Sequence, residues 1–222
     1  MKKFRIADLA LIAANIIPVL GVWFWGWNPT EAFIVYALET LIIGILTICK
    51  LLAATLARGY DEWPANGSVT KQSGLFFILF FIAHFGLFAL IQTTMFSQSA
   101  GITPPGSGLF HFFFKWYTYL NKDILYMLIA FALSYVIRSF IPFIVNNEYK
   151  TTPFMLIMFQ PYGRIIIQQF TVILGSMFLT LGAEKIFILV FAAVKIYFEL
   201  FINFESILNK ITDKLKEQST KK

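Results

Sequence analysis

Six long apolar stretches take up most of this 222-residue chain, and the basic residues between them fall almost entirely on alternate sides. A helix needs roughly 20 consecutive apolar residues to cross the hydrocarbon layer of a bilayer. The chain is 58% hydrophobic and only 14% charged, whereas soluble domains carry about 25% charged residues. The pattern predicts an all-α integral membrane protein with six transmembrane helices and both termini in the cytoplasm. A membrane domain would occupy residues 1–204, and a cytoplasmic amphipathic tail helix residues 205–222. Cys49 is the single cysteine and lies inside an apolar run, which excludes an intramolecular disulfide.

The first span is expected from about Asp8 to Trp25. Lys2, Lys3 and Arg5 precede it as in a signal peptide, but no small-residue cleavage site follows. Trp23, Trp25 and Trp27 gather at its far end as an interfacial belt would. The second span runs from about Thr30, a plausible N-cap, to Ala57, and the third from Ser73 to Phe96. The fourth covers Asp123 to about Asn146, the fifth Gly163 to Leu181, and the sixth Glu184 to about Phe204. The turn at Gly182-Ala183 is short, so one kinked helix, and hence five spans, is the alternative.

The count of bases decides between them. Threaded with the N-terminus inside, fourteen lysines and arginines face the cytoplasm, while only Lys115, Lys122 and Lys185 face outward and Lys195 lies within a span. That asymmetry sets orientation. Five spans would put the lysine-rich tail outside. The net charge of +6 lies largely at the two ends, beside the anionic inner leaflet. It therefore implies the lipid bilayer as partner rather than nucleic acid.

Two segments are too short to cross. Phe110 to Tyr119, dense in aromatics, predicts a helix in the outer interface. The piece Phe154–Phe159, bracketed by Pro153 and Pro161, is either interfacial or re-entrant. In the tail, Ile196, Leu200, Phe204, Ile207, Ile211 and Leu215 form an apolar stripe at helical spacing. That stripe suits a membrane surface or a partner.

Ionisable residues inside spans are expensive, at least ~2.5 kcal/mol each on insertion scales. In the second span Tyr36, Glu39, Thr40, Thr47 and Lys50 fall within about a 100° arc. Glu39 reads either as a carboxylate lining a cavity or as a neutral acid hydrogen-bonded to a neighbouring helix. His84, near the centre of the third span, reads as hydrogen-bonded packing or, with Glu39, as a proton relay. Two such groups do not make a metal site, and no metal or cofactor is expected. Arg138 is expected to snorkel toward headgroups. In the fifth span Gly175 and Gly182 suit close helix packing. Arg164 sits at a helix N-terminus, where a cation opposes the dipole and calls for a bound anion or a carboxylate such as Glu148. Gln168 lies one turn on. Lys195 and Glu199, at i and i+4, neutralise each other. Nucleophile-elbow, zinc-protease, P-loop and dinucleotide motifs are all absent.

Three stretches together carry a resemblance: Trp27-Asn28-Pro29-Thr30-Glu31, Tyr36-Ala37-Leu38-Glu39-Thr40 and Pro161-Tyr162-Gly163-Arg164-Ile165. The chain resembles a family of bacterial multi-pass membrane proteins of about this length, known only as a domain of unknown function. The resemblance implies the bacterial cytoplasmic membrane and brings no activity with it. It points to Glu31, Glu39 and Arg164. The expectation is a non-catalytic protein whose polar pocket, drawn from Glu31, Tyr36, Glu39, His84, Arg164 and Gln168, binds or passes a small polar or ionic solute, or assembles with a membrane-protein partner or a second copy. An intramembrane enzyme acting on a lipid or lipid-linked substrate and a structural subunit of a larger complex are the alternatives.

Overall fold

The computed structural model describes residues 6–65, 68–99, 101–104, 106–163, 165–167, 178, 183–201 and 210. These residues are mostly helical. Helix α1 spans Ile6–Phe24, α2 Pro29–Arg58 and α3 Gly74–Ser99. After a short α4, His111–Lys115, and a 3-10 turn at Trp116–Tyr119 come α5, Lys122–Tyr135, and α6, Ile141–Val145. Then follow α7, Phe154–Phe159, and α8, Glu184–Phe201. Among the described residues, three helical stretches are long and apolar enough to cross a membrane: Ile34–Arg58, Gly74–Met95 and Lys122–Val145. Shorter apolar helices cover Asn15–Phe24 and Ile188–Phe198. The fifth apolar stretch and the tail lie almost wholly outside the described residues.

Boundaries differ from the sequence reading by a few residues. Pro29 rather than Thr30 opens α2, as suits a residue whose missing N–H costs nothing in a first helical turn. Ala183 stands outside the helices, its N–H bonded to the Phe178 carbonyl at 2.8 Å, and α8 starts afresh at Glu184.

The chain divides into two compact units. The first comprises Met1–Leu41, Phe88–Ser134 and Arg164–Ile202, the second Ile42–Leu87, Tyr135–Gly163 and Asn203–Lys222, so α2 and α3 contribute to both. In the first unit α1 packs along α8, and the Trp23 indole N–H donates to the Lys185 carbonyl at 3.3 Å. The Trp27 ring folds back onto Gly21, where a Cβ would come within 2.0 Å of it. Phe112 of α4 is buried and stacks on Tyr119 at 5.5 Å, while Phe110, Phe114, Trp116 and Tyr117 stay exposed.

The second unit contains an element the hydropathy pattern did not anticipate. Strand β1, Tyr60–Ala65, pairs antiparallel with β2, Ser68–Ser73, from Tyr60↔Ser73 to Ala65↔Ser68. The two residues that link them are Asn66-Gly67, the strongest short-range hairpin signal. Trp63 anchors the hairpin on α3, with ring centroids 5.5, 5.6 and 5.7 Å from Phe76, Phe77 and Phe80. Phe77 in turn meets Phe154 of α7 edge-on at 5.3 Å. Helices α2 and α3 approach closely at two glycines: a Cβ on Gly44 would lie 2.7 Å from the Phe85 ring, and one on Gly74 2.1 Å from the Thr55 hydroxyl.

Outward from these contacts the helices present Ile45, Leu52, Leu56, Leu79, Ile137 and Val145. Large apolar side chains facing out along whole helices suit a surrounding of lipid, since in water that area would cost about 25 cal/mol per Å². Replacing Trp63 by alanine should lower stability by up to about 3 kcal/mol. Thermal unfolding in detergent checks this, together with faster tryptic cutting after Lys71. An unchanged melting temperature would mean that the hairpin is not held by its indole.

Candidate functional site

The five polar residues of the α2 arc, Tyr36, Glu39, Thr40, Thr47 and Lys50, are all buried. Two of them hydrogen-bond their own helix: Thr40 donates to the Tyr36 carbonyl at 3.3 Å and Thr47 to the Ile43 carbonyl at 2.9 Å. Such back-bonding is the ordinary fate of a helical threonine. Lys50 behaves differently. It is 7% exposed and lies eight residues before the end of α2, about 12 Å along the axis. Its ammonium donates to Ser139 Oγ at 2.7 Å, makes a long contact of 3.5 Å to Gln160 Oε1, and sits 5.2 Å from the centroid of the buried Phe143 ring.

Both oxygen partners stand where a proline disturbs a helix. Ser139 lies in a π-helical turn, Val136–Phe140, between α5 and α6. Pro142 lacks an N–H and its ring crowds the carbonyl four residues back, so the wider turn relieves the clash. Single π-turns inside helices recur at functional positions. Gln160 closes α7, its N–H bonded to the Leu156 carbonyl at 3.0 Å, and Pro161 follows. The helix resumes at Tyr162.

Two residues beyond Gln160, the Tyr162 hydroxyl meets His84 Nδ1 at 2.8 Å. His84 lies ten residues into α3, about 15 Å from its start. Tyr162 is enclosed by the rings of Phe159, Phe85 and Phe81, at 5.3, 6.0 and 6.4 Å. The segment Gln160-Pro161-Tyr162 thus reaches from the lysine of one helix to the histidine of another. Its lead-in is held by a separate clasp. Asp61 accepts the Phe154 N–H at 2.6 Å and pairs with Arg58 at 3.4 Å. Arg58 also donates to the Thr152 carbonyl at 2.5 Å and lies 4.3 Å over the Phe154 ring. A carboxylate at a helix N-terminus satisfies an otherwise open donor and complements the dipole.

Of the residues expected to form a pocket, Tyr36 and Glu39 share a buried face of α2 in the first unit, where the Tyr36 ring lies 6.3 Å from Phe131. His84 belongs to the second unit. Glu31 is in the first turn of α2, its side chain outside the described part, and Arg164 and Gln168 lie outside the described residues. Ser139, Gln160 and Tyr162 were missed as site residues. Their signal was a polar residue within three positions of a proline in an apolar segment. Among the described residues no group of three histidine, cysteine, aspartate or glutamate side chains could hold a metal.

Tyr162→Phe should keep the aromatic enclosure and lose only the hydroxyl, costing about 1 kcal/mol. Thermal unfolding measures the loss. The His84 imidazole nitrogen signals in an ¹⁵N spectrum should shift in parallel, and signals that stay in place would show that the phenol does not hold the ring.

No curated protein and no solved structure matches the chain. A family model matches residues 2–222. The chain belongs to the family of unknown function DUF6498.

Proposed function

We propose that the chain is a six-span protein of the cytoplasmic membrane with both termini inside, and that its second unit holds a polar pocket which binds or passes a small polar or ionic solute. The observation that carries the reading is Lys50, a buried amine on a helix of membrane-spanning length, met by side chains from two interrupted helices. An ionisable residue at that depth costs at least ~2.5 kcal/mol on insertion scales, and such residues mark solute and ion pathways. Irregular backbone at membrane depth is tolerated where it is buried in protein or lines a wet cavity.

The threading rests on the three membrane-length helices, the further apolar stretches and the distribution of bases. In that orientation the β-hairpin faces the cytoplasm and α4 lies on the outer leaflet. Phe110, Phe114, Trp116 and Tyr117 would face lipid there, with Phe112 turned inward. The role we propose is binding or passage rather than catalysis.

Cysteine accessibility tests both statements in a Cys49→Ala background. Glu62→Cys should react with an impermeant maleimide only from the cytoplasmic side, and Lys122→Cys, exposed at the start of α5, only from the outside. Ser139→Cys should react with a charged methanethiosulfonate, while Ile137→Cys, exposed on the same turn, should not because it faces lipid. A Ser139→Cys protein as inert as Ile137→Cys would end the pocket reading. A C-terminal reporter active outside would end the six-span one.

A further inference from the structure

We infer that the exposed side of α5 and α6 docks an anionic phospholipid of the cytoplasmic leaflet, its phosphate held by the Arg138 guanidinium. The inference is separate from the pocket and rests on the threading above, which sets the leaflet. Arg138 lies in the π-turn Val136–Phe140 and is exposed. Among the described residues, none claims its N–H donors by a hydrogen bond or an ion pair. Arg58 is the contrast: Asp61, the Thr152 carbonyl and the Phe154 ring all engage it. One guanidinium is thus built into the fold, and the other is offered outward.

Depth makes an unmatched cation costly there. The apolar stretch Lys122–Val145 is 24 residues long, about 36 Å of helix against about 30 Å of hydrocarbon. Centred on the bilayer, it overshoots by ~3 Å at each end. Arg138 stands seven residues before Val145, about 10 Å along the axis, and hence ~7 Å inside the hydrocarbon edge. Ile141 and Val145, three and seven residues on, share its helical face and are 46% and 69% exposed. They offer acyl chains a surface and the guanidinium no partner. An arginine at such a depth reaches up to a headgroup or draws one down. Its planar fork of donors meets phosphate oxygens two at a time. The turn beyond α6 adds no net charge, since Glu148, engaged by the Asn146 amide at 3.3 Å, is followed by exposed Lys150. The arginine's positive charge therefore stands uncancelled. It favours a lipid of net negative charge over a zwitterion whose own cation would oppose it, and the cytoplasmic leaflet is where anionic lipids collect.

The test uses the full chain in neutral maltoside micelles, titrated with phosphatidylglycerol or with phosphatidylcholine of the same acyl chains. Phosphatidylglycerol should raise the melting temperature saturably, and phosphatidylcholine much less. In Arg138→Gln the apparent affinity for phosphatidylglycerol should fall about tenfold, as loss of a charge-assisted hydrogen bond implies. Arg138→Lys keeps the charge, loses the fork and should fall between the two. Lys122→Gln removes an exposed charge at the other end of the same stretch and should leave the lipid preference intact. An equal preference in the parent chain and Arg138→Gln overturns the proposal, as does a loss as large in Lys122→Gln. Sodium phosphate reproducing the Arg138-dependent shift by itself would overturn the lipid assignment. A dimer that Arg138→Gln turns into a monomer by light scattering, with no response to lipid, would give the face to a second copy and overturn it too. If Arg138→Gln does not fold, Arg138→Lys carries the comparison, and an unaltered preference there overturns the proposal. The threading fails separately: an Arg138-dependent preference, with Glu62→Cys labelled from the outside, would keep the lipid site and overturn its place in the cytoplasmic leaflet.

Discussion

A backbone amide that leaves its helix in hydrocarbon has no water to turn to. Helices α2 and α3, which contain stretches long and apolar enough to cross a membrane, accord with that constraint and run unbroken for 30 and 26 residues. The irregular places in the second unit are then informative. The π-turn before Pro142 and the interruption at Pro161 free or displace backbone groups, and both lie beside Lys50. The same prolines that disturb the helices bring Ser139 and Gln160 to the amine. The helix irregularities and the buried amine are thus one arrangement.

The hairpin end of the second unit has a different logic. Arg58, Asp61 and the α7 backbone share hydrogen bonds, and the Phe154 ring lies under the guanidinium. Asp61 lies in β1, three residues after the end of α2, so the start of the hairpin also fixes where α7 begins. Trp63 then ties the hairpin to α3 through three phenylalanine rings, and Phe77 ties α3 to α7. Charge and hydrogen bonding set the starting point of α7, and aromatic packing sets its direction toward His84.

Two buried ionisable residues on α2 invite different weight. Glu39 and Lys50 are both nearly inaccessible. For Lys50 the partners come from distant segments and stand at helix irregularities, whereas the Tyr36–Glu39 face lies in the other unit, beside the apolar face of α5 that buries Phe131. The residues of the polar stripe read from α2 are shared between the units, with Tyr36, Glu39 and Thr40 in the first and Thr47 and Lys50 in the second.

The sequence by itself determined the long apolar helices, the buried polar arc of α2, the aromatic α4 and the break ahead of Glu184. Each depends on sums over neighbouring residues, hydropathy or helical period, which a one-dimensional pattern carries in full. The hairpin went unread: Asn66-Gly67 is a hairpin signal, but its strands are short and polar beside the apolar stretches that flank them. Which polar residues meet was not legible. Lys50 finds Ser139 across 89 residues and Gln160 across 110, and His84 finds Tyr162 across 78. Only the tertiary structure decided those pairs, because they depend on how closely α2 and α3 approach at Gly44 and Gly74 and on where two prolines turn the chain. Steric fit between distant segments has no period along the sequence.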